Sequence, residues 1–118
     1  MITEDYVSFE TAKLLKEKGF PQSAFKCHYI ITDDGYYKSF DDRCGFGDYD
    51  IIAPTLAMAM KWLREVYNID ISVTPDRKSG YSVLIFKDKR LPFDTLDSYS
   101  IYEQACEAAI KYCLENLI

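Results

Sequence analysis

Histidine and tryptophan each occur once in this chain of 118 residues, and the shortage of imidazole closes most routes to catalysis. Any Cys-His or Ser-His nucleophile, and any histidine-containing metal site, must pass through His28. The four cysteines stand at 27, 44, 106 and 113 with no C-x-x-C spacing, so they form no zinc or redox motif. Cys106 and Cys113 fall seven apart in one helical segment, about 10 Å along its axis, too far for a mutual disulfide. They read as small core residues of a protein in a reducing cytoplasm. The opening Met1-Ile2-Thr3-Glu4-Asp5 has the wrong charge and polarity for a secretory leader. The longest apolar run, Leu56 to Met60, is five residues, so no membrane contact is expected. Cationic residues are also short: 14 Lys and Arg face 19 Asp and Glu, for a net charge of −5. Six Asp against Lys38 and Arg43 lie between Asp33 and Asp50, and such a stretch repels phosphate backbones, which disfavours a nucleic-acid partner.

Aromatic and apolar side chains, by contrast, are abundant. Nearly half the chain is apolar, enough for the core of one domain spanning residues 1–118. Ten tyrosines and seven phenylalanines exceed what such a core needs, so some tyrosines reach the surface, where flat faces and hydroxyls suit partner contacts.

Three helices are predicted. The first runs from Ser8, a good N-cap, to Gly19, with Phe9, Ala12 and Leu15 on one face; Gly19 suits the left-handed C′ position and lets Phe20 fold back onto Leu15. The second starts near Pro54 and reaches Asn68, its apolar arc made of Leu56, Ala59, Met60, Leu63, Val66 and Tyr67 with Trp62 at one margin. The third follows Ser100 and Glu103, spaced as a capping box. Its apolar stripe holds Tyr102, Ala105, Cys106, Ala109, Cys113 and Leu117, and a charged row of Glu103, Glu107, Lys111 and Glu115 lies opposite. On that row Glu107→Ala is expected to matter little.

Between helices the period drops to two. Residues 27–32 and 36–40 flank Asp33-Asp34-Gly35 as a hairpin, and 69–74 with 81–86 form a second across a polar turn. The later half of 81–86 is apolar on both faces, which places that strand centrally. Residues 41–53 and 88–99 read as loops. The fold class is therefore α+β, in the order α-β-β-α-β-β-α, with the hairpins joined in one antiparallel sheet and the helices packed on one face.

Three stretches, MITEDYVSFETAKLLKEKGF, APTLAMAMKWLREVYNI and EQACEAAIKYCLENLI, together about half the chain, resemble a family of short uncharacterised proteins found in phages, prophages and mobile elements of gut Bacteroides-type bacteria. The resemblance implies an intracellular accessory protein made in an infected or lysogenised cell, and carries no mechanism, cofactor or site residue with it.

Three classes of function remain. The leading one is a non-enzymatic intracellular binding or adaptor protein that contacts a host or phage protein, or itself, with Met58, Trp62, Tyr36 and Tyr37 as contact residues and no cofactor. Met58 lies on the polar side of the second helix, one turn from Trp62, where an exposed Met beside Trp can anchor a partner. The second is a small enzyme or ligand binder built from His28, Cys44 and the Asp41/Asp42 loop, which requires those side chains to meet in a pocket. The third is nucleic-acid binding along the basic edge 77–90, through Arg77, Lys78, Lys87, Lys89 and Arg90.

Overall fold

A computed structural model describes residues 5–22, 28–32, 35–39, 50–76, 80–90 and 94–118. Helix α1 spans Phe9–Glu17, begins where the Ser8 hydroxyl accepts from the Thr11 amide, and ends at Lys18. Past that end Gly19 takes φ +95°, while the Phe20 amide donates to the Leu15 carbonyl and the Gly19 amide to that of Lys16. These two bonds complete a Schellman cap and set the buried Phe20 against Leu15 as expected.

Strands β1 (His28–Thr32) and β2 (Gly35–Ser39) pair antiparallel with Thr32 opposite Gly35. Helix α2 spans Leu56–Tyr67. Thr55 caps it by accepting from the Met58 amide, so Pro54 precedes the cap, and Asn68 closes it in the left-handed region. Strands β4 (Ile69–Pro75) and β5 (Tyr81–Lys87) form the second hairpin. Helix α3 spans Tyr102–Asn116.

The α+β architecture with antiparallel pairing is as the pattern predicts, but two strands lie in stretches expected to be loops. Strand β3 (Asp50–Ile52) pairs with β1, and β6 (Asp94–Tyr99) pairs with β5. Among the described residues the two hairpins do not pair with each other. Each takes its own third strand, giving two three-stranded sheets ordered β2-β1-β3 and β4-β5-β6. Both added strands are edges, one very short and the other rich in Asp and Ser, so neither shows the apolar alternation of a half-buried strand.

Helix α3 lies across β4, β5 and β6 and touches both other helices; α2 also packs on β4, and α1 on β3. The registered pairs Ile71–Ile85 and Val73–Val83 share the helix-facing side with Ile69, and all belong to one core with Leu15, Leu63, Ala109, Ile110 and Leu114. β5 is central, as its apolar faces require. The N-terminus of α3 departs from expectation. Ile101 holds the N-cap position and no side chain caps it, so Ser100 and Glu103 form no capping box. Tyr102, placed on the buried stripe by spacing, is exposed.

Candidate functional site

The second helix carries apolar residues on two sides. Leu56, Ala59 and Leu63 are buried toward the core, with Met60 and Tyr67 half-buried beside them. On the outer side Met58 and Val66 are 40% and 57% exposed. Val66 was expected within the core arc; residues four apart stand in line on a helix, and Met58, Trp62 and Val66 form such a row. Trp62 is held edge-on by Phe20, at 5.3 Å between ring centres, and by Tyr67, at 5.2 Å. The Schellman turn after α1 thus supplies the wall against which the indole rests. Phe20, Pro21, Met58, Lys61, Trp62 and Glu65 enclose a hollow of about 210 Å³. Met58 and Trp62, singled out from the sequence, are brought together here with Phe20 and Pro21, and Val66 continues their row outside the hollow. The i, i+4, i+8 spacing of 58, 62 and 66 was the signal for Val66; the Gly19 turn placed Phe20 against Leu15, but nothing local tied it to Trp62.

Tyr36 sits elsewhere. Its ring stacks on Phe9 at 3.9 Å and stands edge-on to Tyr29, at the opposite end of α1 from Phe20, so it belongs to a different surface. Tyr37 is registered opposite Ile30 on the β1–β2 hairpin.

The second class of function rests on residues that are mostly not described. Asp41, Asp42 and Cys44 lie outside the described residues, and His28 is placed by its backbone pairing to Ser39 and Ile52. Among the described residues no group of three His, Cys, Asp or Glu side chains could hold a metal ion. Cys106 and Cys113 are buried free thiols. Burial pushes both up, Cys113 to about 12, away from the thiolate a nucleophile needs. Iodoacetamide applied to the native protein near neutral pH is expected to leave both unmodified and to label them fully once the chain is denatured, as read by peptide mass mapping; modification of native Cys113 would contradict its burial.

Along the basic edge, Arg77 and Lys78 lie outside the described residues. Lys87 donates to the Leu117 carbonyl at 2.9 Å, at the end of α3, where a cation complements the helix C-terminus. Lys89 pairs with Asp70 at 2.8 Å. Two of the three described cations are therefore occupied within the protein.

A larger, open hollow of about 600 Å³ lies between the N-terminal half of α3 and the segment preceding α1, lined in part by Asp5, Tyr29, Glu107 and Lys111. Its polar groups are largely engaged in holding the fold. Glu107 accepts from the Ser8 amide at 3.0 Å and from the Thr11 hydroxyl at 2.6 Å, Lys111 pairs with Glu10 at 2.9 Å, and the Tyr29 hydroxyl donates to the Val7 carbonyl at 2.8 Å. The Glu10 carboxyl is lowered and the Lys111 ammonium raised by that mutual bond.

No protein-family model matches the chain, and neither does any curated protein or solved structure.

Proposed function

We propose that this is a non-enzymatic binding protein of phage or mobile-element type, working in the cytoplasm, whose contact face is the outer row of α2. One observation carries the reading: Met58, Trp62 and Val66 form a continuous apolar row, two of them exposed, beside a hollow walled by Phe20. Exposed apolar side chains scattered singly need no explanation. Three aligned over two helical turns are the anchor pattern by which one helix engages another apolar surface. A Trp fixed by two neighbouring rings loses little freedom on contact, which favours a hot-spot role. Among the described residues no helix is long and apolar enough to cross a membrane, so the row is not the lipid-facing side of a helical span.

The test is site-specific photo-crosslinking in cells that carry the gene. A benzoylphenylalanine at position 58 or 66 is expected to yield a covalent adduct of discrete mass, and the same group at exposed Glu115 is expected to yield none. Absence of an adduct from both positions on the row would remove α2 as the contact face.

A further inference from the structure

Resting on the α2 contact face just described, the charges beside the apolar row say what covers it. Lys61 and Glu65 line the same hollow as Met58 and Trp62, are both exposed, and form no ion pair with another described residue. They lie four apart, in the row adjacent to 58-62-66, together with the small exposed residue Ala57. A strip carrying one cation and one anion at that interval is complementary to itself when turned end for end. In a twofold dimer residue i meets j while j meets i, so two ion pairs form across the interface and each strip supplies one member of each.

We infer that the occupant of the row is a second copy of this chain, docked with its α2 antiparallel to the first. A twofold axis crossing the helix pair at the level between Trp62 and Leu63 sets Met58 within one residue's rise, about 1.5 Å, of Val66 in the second copy. The same axis sets Lys61 equally close in level to Glu65 of the second copy, and brings the two indoles together at the centre. The small Ala57 lets the backbones approach, and the hollow beside Phe20 receives an apolar side chain from the facing helix. A parallel twofold would carry the two Lys61–Glu65 strips to opposite flanks of the helix pair, where neither strip meets the other and no such ion pair forms.

The test uses the full chain and two charge reversals. Sedimentation equilibrium across about 1 µM to about 1 mM, the range of weak to moderate self-affinity, is expected to show wild type moving from the 13.7 kDa chain mass toward twice that value. Lys61→Glu leaves four carboxylates facing one another, and Glu65→Lys four ammoniums. Each alone is expected to weaken dimerisation by about tenfold or more, the scale of one lost favourable contact and one gained repulsion. An equimolar mixture of the two variants restores opposite charges across the interface and is expected to return to within about threefold of wild type. Trp62→Ser is expected to abolish the dimer. Both charged side chains are exposed, so melting curves of the reversal variants should overlay wild type. A wild type that remains at the single-chain mass throughout overturns the inference, as does a mixture that dimerises no better than either variant. A discrete adduct with a different protein at position 58, found with a monomeric wild type, would leave α2 as a contact face while excluding the second copy as its occupant.

Discussion

Ala109→Glu is expected to unfold the protein or reduce its stability by several kcal/mol, the cost of placing an unpaired carboxylate where no solvent reaches it. Ala109 is wholly buried on the side of α3 that also carries Ala105, Cys106, Ile110 and Cys113. That side lies across all three strands of the β4-β5-β6 sheet, and α3 also touches both other helices. The small side chains let the helix axis come close to the sheet, so a longer residue has neither room nor a route to water. Against a total stability of about 5–15 kcal/mol for a domain of this kind, the loss removes the folded state or nearly so. Urea titration or a thermal melt followed by circular dichroism measures it. Glu115→Ala, on the exposed side of the same helix, is expected to shift stability by no more than about 0.5 kcal/mol. Equal behaviour of the two variants would mean that α3 presents a different face to the sheet.

How much could be read beforehand follows from where each signal comes from. Helices α1 and α3 show their buried faces through residues three and four apart, and the Gly19–Phe20 turn announced itself because only a few residue types suit a left-handed position before a returning aromatic. The edge strands could not be read in this way. The pairing of β6 is supplied by β5, and a row of Asp, Thr and Ser at a sheet edge looks like a loop until its neighbour is known. The start of α3 was misplaced because a Ser three residues before a Glu has the spacing of a cap wherever the helix begins, and an extended Ile101 starts it later. On α2, spacing allotted Val66 to the core, but an arc of six apolar positions is wider than β4 and α3, which pack on the helix, can cover, and Val66 at its edge is left exposed in line with Met58 and Trp62. Tyr36 comes from the surplus of tyrosines and Trp62 from its place one turn from Met58; α1, nine residues long, keeps Phe9 and Phe20, their respective partners, at opposite ends.

Glu107 is the residue on which spacing and structure disagree most. Periodicity puts it on the charged row of α3, where truncation is nearly free, whereas the fold brings the first turn of α1 onto its carboxylate. Ser8 caps α1 through its side chain, but its own amide needs an acceptor. In a capping box a Glu at the third helical position reaches back to supply one. That position is Thr11, whose hydroxyl cannot do this; Glu107, 99 residues from Ser8 in sequence, takes the Ser8 amide instead and accepts the Thr11 hydroxyl as well. Thr11 is wholly buried, so removing its acceptor leaves the hydroxyl proton without a partner among the described residues, because the Ser8 hydroxyl, at 3.2 Å, donates to Thr11. The carboxylate also complements the positive end of α1. Hydrogen bonds to a charged group contribute about 1.5–3 kcal/mol each, and the exposure of the Ser8 bond lowers its share, so Glu107→Ala is expected to cost about 2–3 kcal/mol. Glu107→Gln keeps an acceptor without the charge and should lose about half of that. The Glu10–Lys111 pair beside it lies at the surface, with Lys111 part-buried and Glu10 exposed, and offsets little of the loss. Urea titration of the Glu107→Ala, Thr11→Val and double variants separates these contributions. Because both single changes break the same bond, their effects should sum to more than the double variant loses. Strict additivity, or a loss within about 0.5 kcal/mol for Glu107→Ala, would return the residue to the solvated row and leave α1 fixed to α3 by apolar packing and the Glu10–Lys111 pair.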